Sequence, residues 1–209
     1  LSIELLADCH SRTHAALPTL KLAPRESSPH ESGVKLIGLT GGIGMGKSTA
    51  AQFLRERGVP LVDTDDLARE IVQPGQPALE EIRAAFGSQF VGPDGHLRRE
   101  EMARRVFADA SARKKLEAIL HPRILDLWHA QVERWLNEGR PVAVVVIPLL
   151  YETGAERQLD TVICVACTSA TQRQRLLARG WTPEEIEQRL AAQMPVVEKM
   201  ARARHVIWT

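Results

Sequence analysis

The 209-residue sequence has no excess of one charge, little cysteine and no long apolar run. Its 27 Lys and Arg residues stand against 26 Asp and Glu, a formal balance of +1. That balance excludes a uniformly basic nucleic-acid binder and an acidic disordered chain, while leaving room for a local anion site. No stretch approaches the ~18 apolar residues of a membrane helix, so no membrane partner is expected. The three cysteines, Cys9, Cys164 and Cys167, are too few and too irregular for a disulfide framework, which favours a reducing, cytoplasmic setting. What is present is ordinary for a globular protein: 44% hydrophobic and 25% charged residues. At roughly 150 residues per domain the length suits one α/β domain with an insert, or two small domains. Such a chain can build its core without disulfides or a structural metal.

Residues 1–33 stand apart. They carry Pro18, Pro24, Pro29, the Ser27-Ser28 pair and three of the seven histidines, with no sustained helical or strand period. They read as a disordered N-terminal extension. Glu4 and Asp8 occupy the place of the basic region of a secretory leader, and the same acids disfavour a transit peptide. The sequence starts on Leu1 rather than Met, which leaves a fragment or a processed product open.

From Val34 the pattern becomes regular. Residues 34–39 form a short apolar run suited to a buried parallel strand. Residues 48–57 read as a helix stopping at Gly58, and 59–62 as a second strand. A long helical region follows over about 66–138, punctuated by Pro74-Gly75, Gly92-Pro93-Asp94-Gly95 and His121-Pro122. Residues 142–147 are the most apolar run and read as a central strand, with another over 161–167. Helical patterns return over about 169–179 and 183–192, and residues 205–207 read as a last short strand. Strands alternating with helices indicate an α/β fold, a parallel sheet wrapped by helices.

Gly41 to Ser48 satisfies G-x-x-x-x-G-K-[ST], with a strand before it and a helix after it. Glycines let successive backbone N–H groups converge on one concavity, and the following helix adds its positive end. Lys47 would set a cation beside the β- and γ-phosphates of a nucleotide, and the Ser48 hydroxyl would ligate Mg²⁺. A guanine-reading Asn-Lys-x-Asp is excluded, because Asn137 is the sole asparagine and Glu138 follows it. The most apolar strand ends in Pro148-Leu149-Leu150-Tyr151-Glu152 rather than in the aspartate usual for motor and transport ATPases. Asp63 and Asp65, past the short second strand, are the better placed carboxylates. They suit a small-molecule kinase, in which a carboxylate orients an acceptor hydroxyl or takes its proton.

These residues resemble one family. Thr40-Gly41-Gly42-Ile43-Gly44-x-Gly46-Lys47-Ser48-Thr49 is similar to the phosphate loop of dephospho-CoA kinases. Asp63-Thr64-Asp65-x-x-Ala68-Arg69 resembles the family's D-[AT]-D-x-x-A-R, followed by Pro74-Gly75 and by Leu120-His121-Pro122 for its L-H-P. Ile147-Pro148-Leu149-Leu150-Tyr151-Glu152 resembles V-P-L-L-[FY]-E. Gln172-x-x-Arg175-x-x-x-Arg179 resembles its lid pattern, and Ala191-Ala192-Gln193 its A-A-Q. The likeness spans residues 34–207 with the motifs in order.

The resemblance implies ATP-dependent phosphorylation of the ribose 3′-hydroxyl of dephospho-CoA, the last step of coenzyme A synthesis. It implies a P-loop NTPase-type fold with a five-stranded parallel sheet, built from residues 34–66 and 139–209. A helical insert over 67–138 would hold the CoA portion, and a lid over about 169–183 would close on the nucleotide. By that likeness Asp65, Lys47 and Arg175 are catalytic. Gly42, Gly44, Met45, Gly46, Lys47, Ser48, Thr49, Arg175 and Arg179 meet ATP. Asp65, Arg69, His121 and Tyr151 meet the substrate, and Ser48 and Asp63 meet Mg²⁺. No nucleic acid is implied, and a monomer or weak homo-oligomer is expected. A lid also has a physical reason, because water reaching the γ-phosphate would waste ATP.

Plainer readings stand beside these. Asp63 or Asp65 could cap a helix beginning near Asp66. Arg173, Arg175 and Arg179 could form a solvated helix face, and His121-Pro122 could be only a helix break. Trp128 and Trp135, seven apart with Ile124 and Val132, read as helical core rather than a ligand pocket. Cys164 and Cys167 on a strand point to opposite faces and read as buried thiols rather than a metal pair. Family members usually continue past the last strand into a closing helix, whereas this sequence stops at Thr209, so a less stable fold with a complete site is expected. The alternatives are a kinase of a nucleotide or other small hydroxyl substrate, and a catalytically impaired, truncated nucleotide-binding protein.

Overall fold

The computed structural model describes residues 33–209, so the extension expected over 1–33 falls, apart from Gly33, outside the described residues. Five parallel strands run in the order β2-β3-β1-β4-β5. They are β1 (Lys35–Thr40), β2 (Leu61–Asp63), β3 (Val142–Val146), β4 (Thr161–Ala166) and β5 (His205–Trp208). The parallel five-stranded α/β reading holds.

β3 is apolar throughout because both its faces are covered. Ala143 and Val145 join the main core with Leu36 and Val162, while Val144 and Val146 pack with Leu39, Ala51 and Val165 on the other side. Successive residues of a strand point to opposite faces, so one apolar run serves two cores. The second core is covered by α1 (Lys47–Glu56).

Between β2 and β3 the chain makes α2 (Thr64–Glu70), α3 (Pro77–Phe86), a 3₁₀ turn over Ser88–Phe90, α4 (Arg99–Ala108) and α5 (Ala110–Asn137). Pro77 starts α3 where its missing N–H costs nothing. The Asp109 carboxylate caps α5 by accepting from the Ser111 and Ala112 N–H groups. Trp128 and Trp135 are buried on α5 within the main core, as their spacing indicated. The punctuation read at His121-Pro122 is corrected: α5 runs 28 residues straight through it. Pro122 is exposed, and so is Ala118, whose carbonyl the proline leaves without its helical donor; water can satisfy that group.

After β4 come α6 (Ser169–Leu177) and α7 (Pro183–Ala191). Thr168 caps the first, and Thr182 with Glu185 forms a reciprocal capping box on the second. A further helix, α8 (Val196–Arg202), was not legible in the pattern. Its Lys199 has no exposed surface and donates to Pro148 O at 2.7 Å while pairing with Glu152 at 2.8 Å. β5 closes one edge of the sheet with Val206, Ile207 and Trp208 exposed. Among the described residues no helix is long and apolar enough to cross a membrane.

Candidate active site

The phosphate-loop motif connects β1 directly to α1, at the carboxyl end of the sheet where ligands of open α/β folds bind. Gly41 has φ +147°, and a Cβ there would lie 2.2 Å from Val165 O, so the neighbouring strand admits only glycine. Gly46 caps α1 in the left-handed conformation, and no acidic residue occupies the helix's first turn. The positive end of α1 is therefore uncompensated and suits an anion. Lys47 folds back along the loop and donates to Gly41 O at 2.8 Å and Gly42 O at 3.0 Å. Ser48 and Thr49 are exposed on the first turn of α1. Met45 turns its side chain inward, where its sulfur meets the Cys167 N–H at 3.1 Å and Sγ at 3.4 Å. Only the Met45 backbone is left for a nucleotide. Cys164 and Cys167 are both free and buried, as the strand argument expected, and burial pushes the Cys164 thiol up.

Asp63 ends β2 in register with Val146. Its Oδ1 accepts the Asp65 N–H at 2.9 Å, so Asp63 is the cap of α2. α2 begins at Thr64 rather than near Asp66, which removes the reading of Asp65 as a cap and puts it in the first turn. Burial pushes the Asp63 carboxyl up, the Asp65 N–H draws it back, and the Asp66 charge raises it while Arg55 and Lys47 lower it. β3 lies between β2, which ends in Asp63, and β1, which leads into the loop bearing Lys47. Thr64 between the two aspartates is buried, and its hydroxyl donates to Val146 O at 3.1 Å. The sequence offered Thr64 inside a motif but no reason for its hydroxyl.

Arg175 on α6 reaches back to the loop, with Nη1 3.5 Å from Gly44 O and 2.9 Å from Thr209 Oγ1. This contact removes the solvated-face reading for Arg175. Arg173 pairs with Glu187, and Arg179 is exposed beyond the end of α6. Arg69 on α2 pairs with Asp66 at 2.8 Å. Arg99, the first residue of α4, was missed in the sequence. Burial holds its guanidinium below the ordinary value, and the positive charge of Arg69 adds to that effect. His121 is half-buried on α5, and burial lowers its pKa. Tyr151 is buried in the main core, beneath the Arg202 guanidinium at 4.3 Å, and is not presented to solvent.

Residues 35–209 match the family model described as dephospho-CoA kinase. Among curated relatives, a dephospho-CoA kinase of Anaeromyxobacter dehalogenans is 49% identical over 175 residues, covering 83% of each chain. One from Symbiobacterium thermophilum is 47% identical over 176 residues, 83% of this chain and 73% of that protein. A crystal structure from Thermus thermophilus superposes with a TM-score of 0.76 at 37% identity, covering 85% of this chain and 89% of that one. A dephospho-CoA kinase structure from Campylobacter jejuni gives 0.61 at 25% identity, over 83% and 87%.

Proposed function

The chain belongs to the dephospho-CoA kinase family, and from that premise we propose how its residues move the γ-phosphoryl group of ATP to the ribose 3′-hydroxyl of dephospho-CoA. The backbone amides of the loop at Gly42, Gly44, Met45 and Gly46, with Ser48 and Thr49 at the start of α1, hold the phosphates. Lys47 exchanges its two loop carbonyls for β- and γ-phosphate oxygens. Asp65 orients the 3′-hydroxyl and accepts its proton as the oxygen bonds to phosphorus and ADP leaves. Arg175, already beside Gly44 O, balances charge on the transferring group, and Arg179 joins it when the lid over 169–183 closes.

Mg²⁺ belongs to this reading. The Ser48 hydroxyl and the Asp63 carboxylate are hard oxygen donors, and one or two such protein groups plus nucleotide phosphates are the usual share for this ion. Asp63 would hold it while continuing to cap α2 through Oδ1. When bound, Mg²⁺ neutralises charge on the phosphate oxygens.

The helical insert over 67–138 takes the CoA portion, with Arg69 and Arg99 meeting its pyrophosphate and His121 lying further along α5. Tyr151 supports the floor of that region from within the core. A cytoplasmic setting suits this substrate and two buried free thiols.

One observation carries the assignment. In the parallel order β2-β3-β1 the carboxyl ends of β1 and β2 lie on the same edge of the sheet, so the loop bearing Lys47 and the aspartates Asp63 and Asp65 stand on one side of it. The test is ADP and CoA formation from ATP and dephospho-CoA, comparing the unsubstituted chain with Asp65→Asn. Loss of the base is expected to lower kcat by about 10²–10⁴-fold while ATP binding stays intact. An unsubstituted chain that binds ATP but forms no CoA would overturn the reading.

A further inference from the structure

Ile43 sits in the middle of the phosphate loop, and both of its backbone polar groups are taken by buried side chains. Its N–H donates to Gln193 Oε1 at 3.1 Å, and its carbonyl accepts from Gln172 Nε2 at 2.7 Å. The backbone dictates both amide orientations, since an N–H must face an oxygen and a carbonyl must face an NH₂. Gln172 comes from the first turn of α6 and Gln193 from the chain just after α7, and both are almost fully buried.

Apolar packing reinforces the grip. Ile43, Leu176 and Ile186 form a separate small core flanked by Trp181 and Leu190. Gly44 completes the fit, because a Cβ there would come within 3.0 Å of Leu176 Cγ. Gln172 and Arg175 are three residues apart on α6 and so share one face of it. Whatever fixes Gln172 on the loop therefore also fixes the arginine that reaches Gly44 O.

We propose that Gln172 and Gln193 are positioning residues: they clamp the Ile43 peptide and lock the phosphate loop, α6 and Arg175 into one rigid unit. An N–H bound to Gln193 is withheld from phosphate, so the cradle is built from the amides around it, with the Ile43 peptide as its fixed point. The base of the lid then does not swing. Moving α6 off the loop would strip partners from two buried backbone groups, which is costly. Closure is confined to the connection between α6 and α7, where Leu177, Arg179 and Gly180 are exposed and Gly180 has φ +84°.

This inference rests on the loop being the ATP cradle, and the experiment separates the two. Gln172→Met and Gln193→Met keep length and burial but remove the polar end. Each is expected to raise the KM for ATP by about tenfold, with the KM for dephospho-CoA unchanged. The double variant should fall short of the product of the two effects, because both act on one peptide. A purely structural role would lower the unfolding midpoint and leave the ATP KM of the folded enzyme alone; that result overturns the clamp. If neither variant folds, amide exchange in the unsubstituted chain decides. The Ile43 amide should exchange far more slowly than that of Gly44, and equally fast exchange overturns the proposal. An unsubstituted chain without turnover strikes the proposed function instead, and the exchange measurement still judges the clamp.

Discussion

The Thr64 hydroxyl donates to the Val146 carbonyl at 3.1 Å, joining residues 82 positions apart in the chain. This bond anchors the first turn of α2, and with it Asp63 and Asp65, to the end of β3. Thr64→Val keeps the shape and deprives Val146 O of this donor. The expected cost is about 1–3 kcal/mol, with kcat reduced as Asp65 drifts from the acceptor hydroxyl. Thr64→Ser should recover both. Thermal unfolding and steady-state kinetics on the two variants check this, and a Thr64→Val enzyme with unchanged kcat would contradict it.

The Lys199–Glu152 pair makes the second prediction. Lys199 is wholly buried and Glu152 is partly buried, and the Glu152 carboxylate also accepts the Met194 N–H at 2.9 Å. Lys199→Met leaves a largely desolvated carboxylate without its cation, a loss of about 3–5 kcal/mol. For a chain of this size that lowers the unfolding midpoint by roughly 6–20 °C. Adding Glu152→Gln removes the stranded charge and should restore part of the loss. A double variant no more stable than Lys199→Met alone would show that the charge is not the cause.

A third prediction concerns pH. Burial lowers the pKa of His121 in the folded state, whereas in the unfolded chain it titrates near ~6.5. As pH falls through that value the unfolded chain takes up a proton that folded His121 resists, so the histidine's contribution to stability is present above it and is lost below. His121→Gln is expected to flatten the fall of the unfolding midpoint between roughly pH 6.5 and pH 5. Equal slopes for the two proteins would remove this role.

Arg99 supplies the fourth. Arg99 is half-buried at the start of α4, in the helical insert that we propose takes the CoA portion. Arg99→Met should raise the KM for dephospho-CoA by about tenfold, the worth of a hydrogen bond to a charged group, and leave the KM for ATP unchanged. Initial rates with each substrate varied in turn distinguish this from a general loss. A parallel rise for ATP would place Arg99 elsewhere in the mechanism.

Local patterns carried most of the architecture. The strands read over 34–39 and 142–147 and the helix read over 48–57 match β1, β3 and α1 within two residues at each end, because each announces itself by its own period and its glycine stops. His121-Pro122 misled, since a proline rule says nothing about which side of a helix faces water. α8 escaped because a lysine is ordinarily a surface residue, and nothing around Lys199 signals that its ammonium is buried against Pro148 O. Arg99 was invisible for a related reason: an arginine at the start of a helix reads as solvated, and nothing near it signals its half-burial.

The sequence by itself determined the phosphate loop, the alternation that makes a parallel sheet, and the two aspartates at the end of the second strand. Those are short-range properties, written in glycines, apolar runs and caps a few residues apart. Only the tertiary structure decided the strand order that puts β3 between the loop and Asp63, the capture of Ile43 by Gln172 and Gln193, and the burial of Lys199. Each joins groups far apart along the chain, where no periodicity links them and only folding settles which polar groups must satisfy one another away from water.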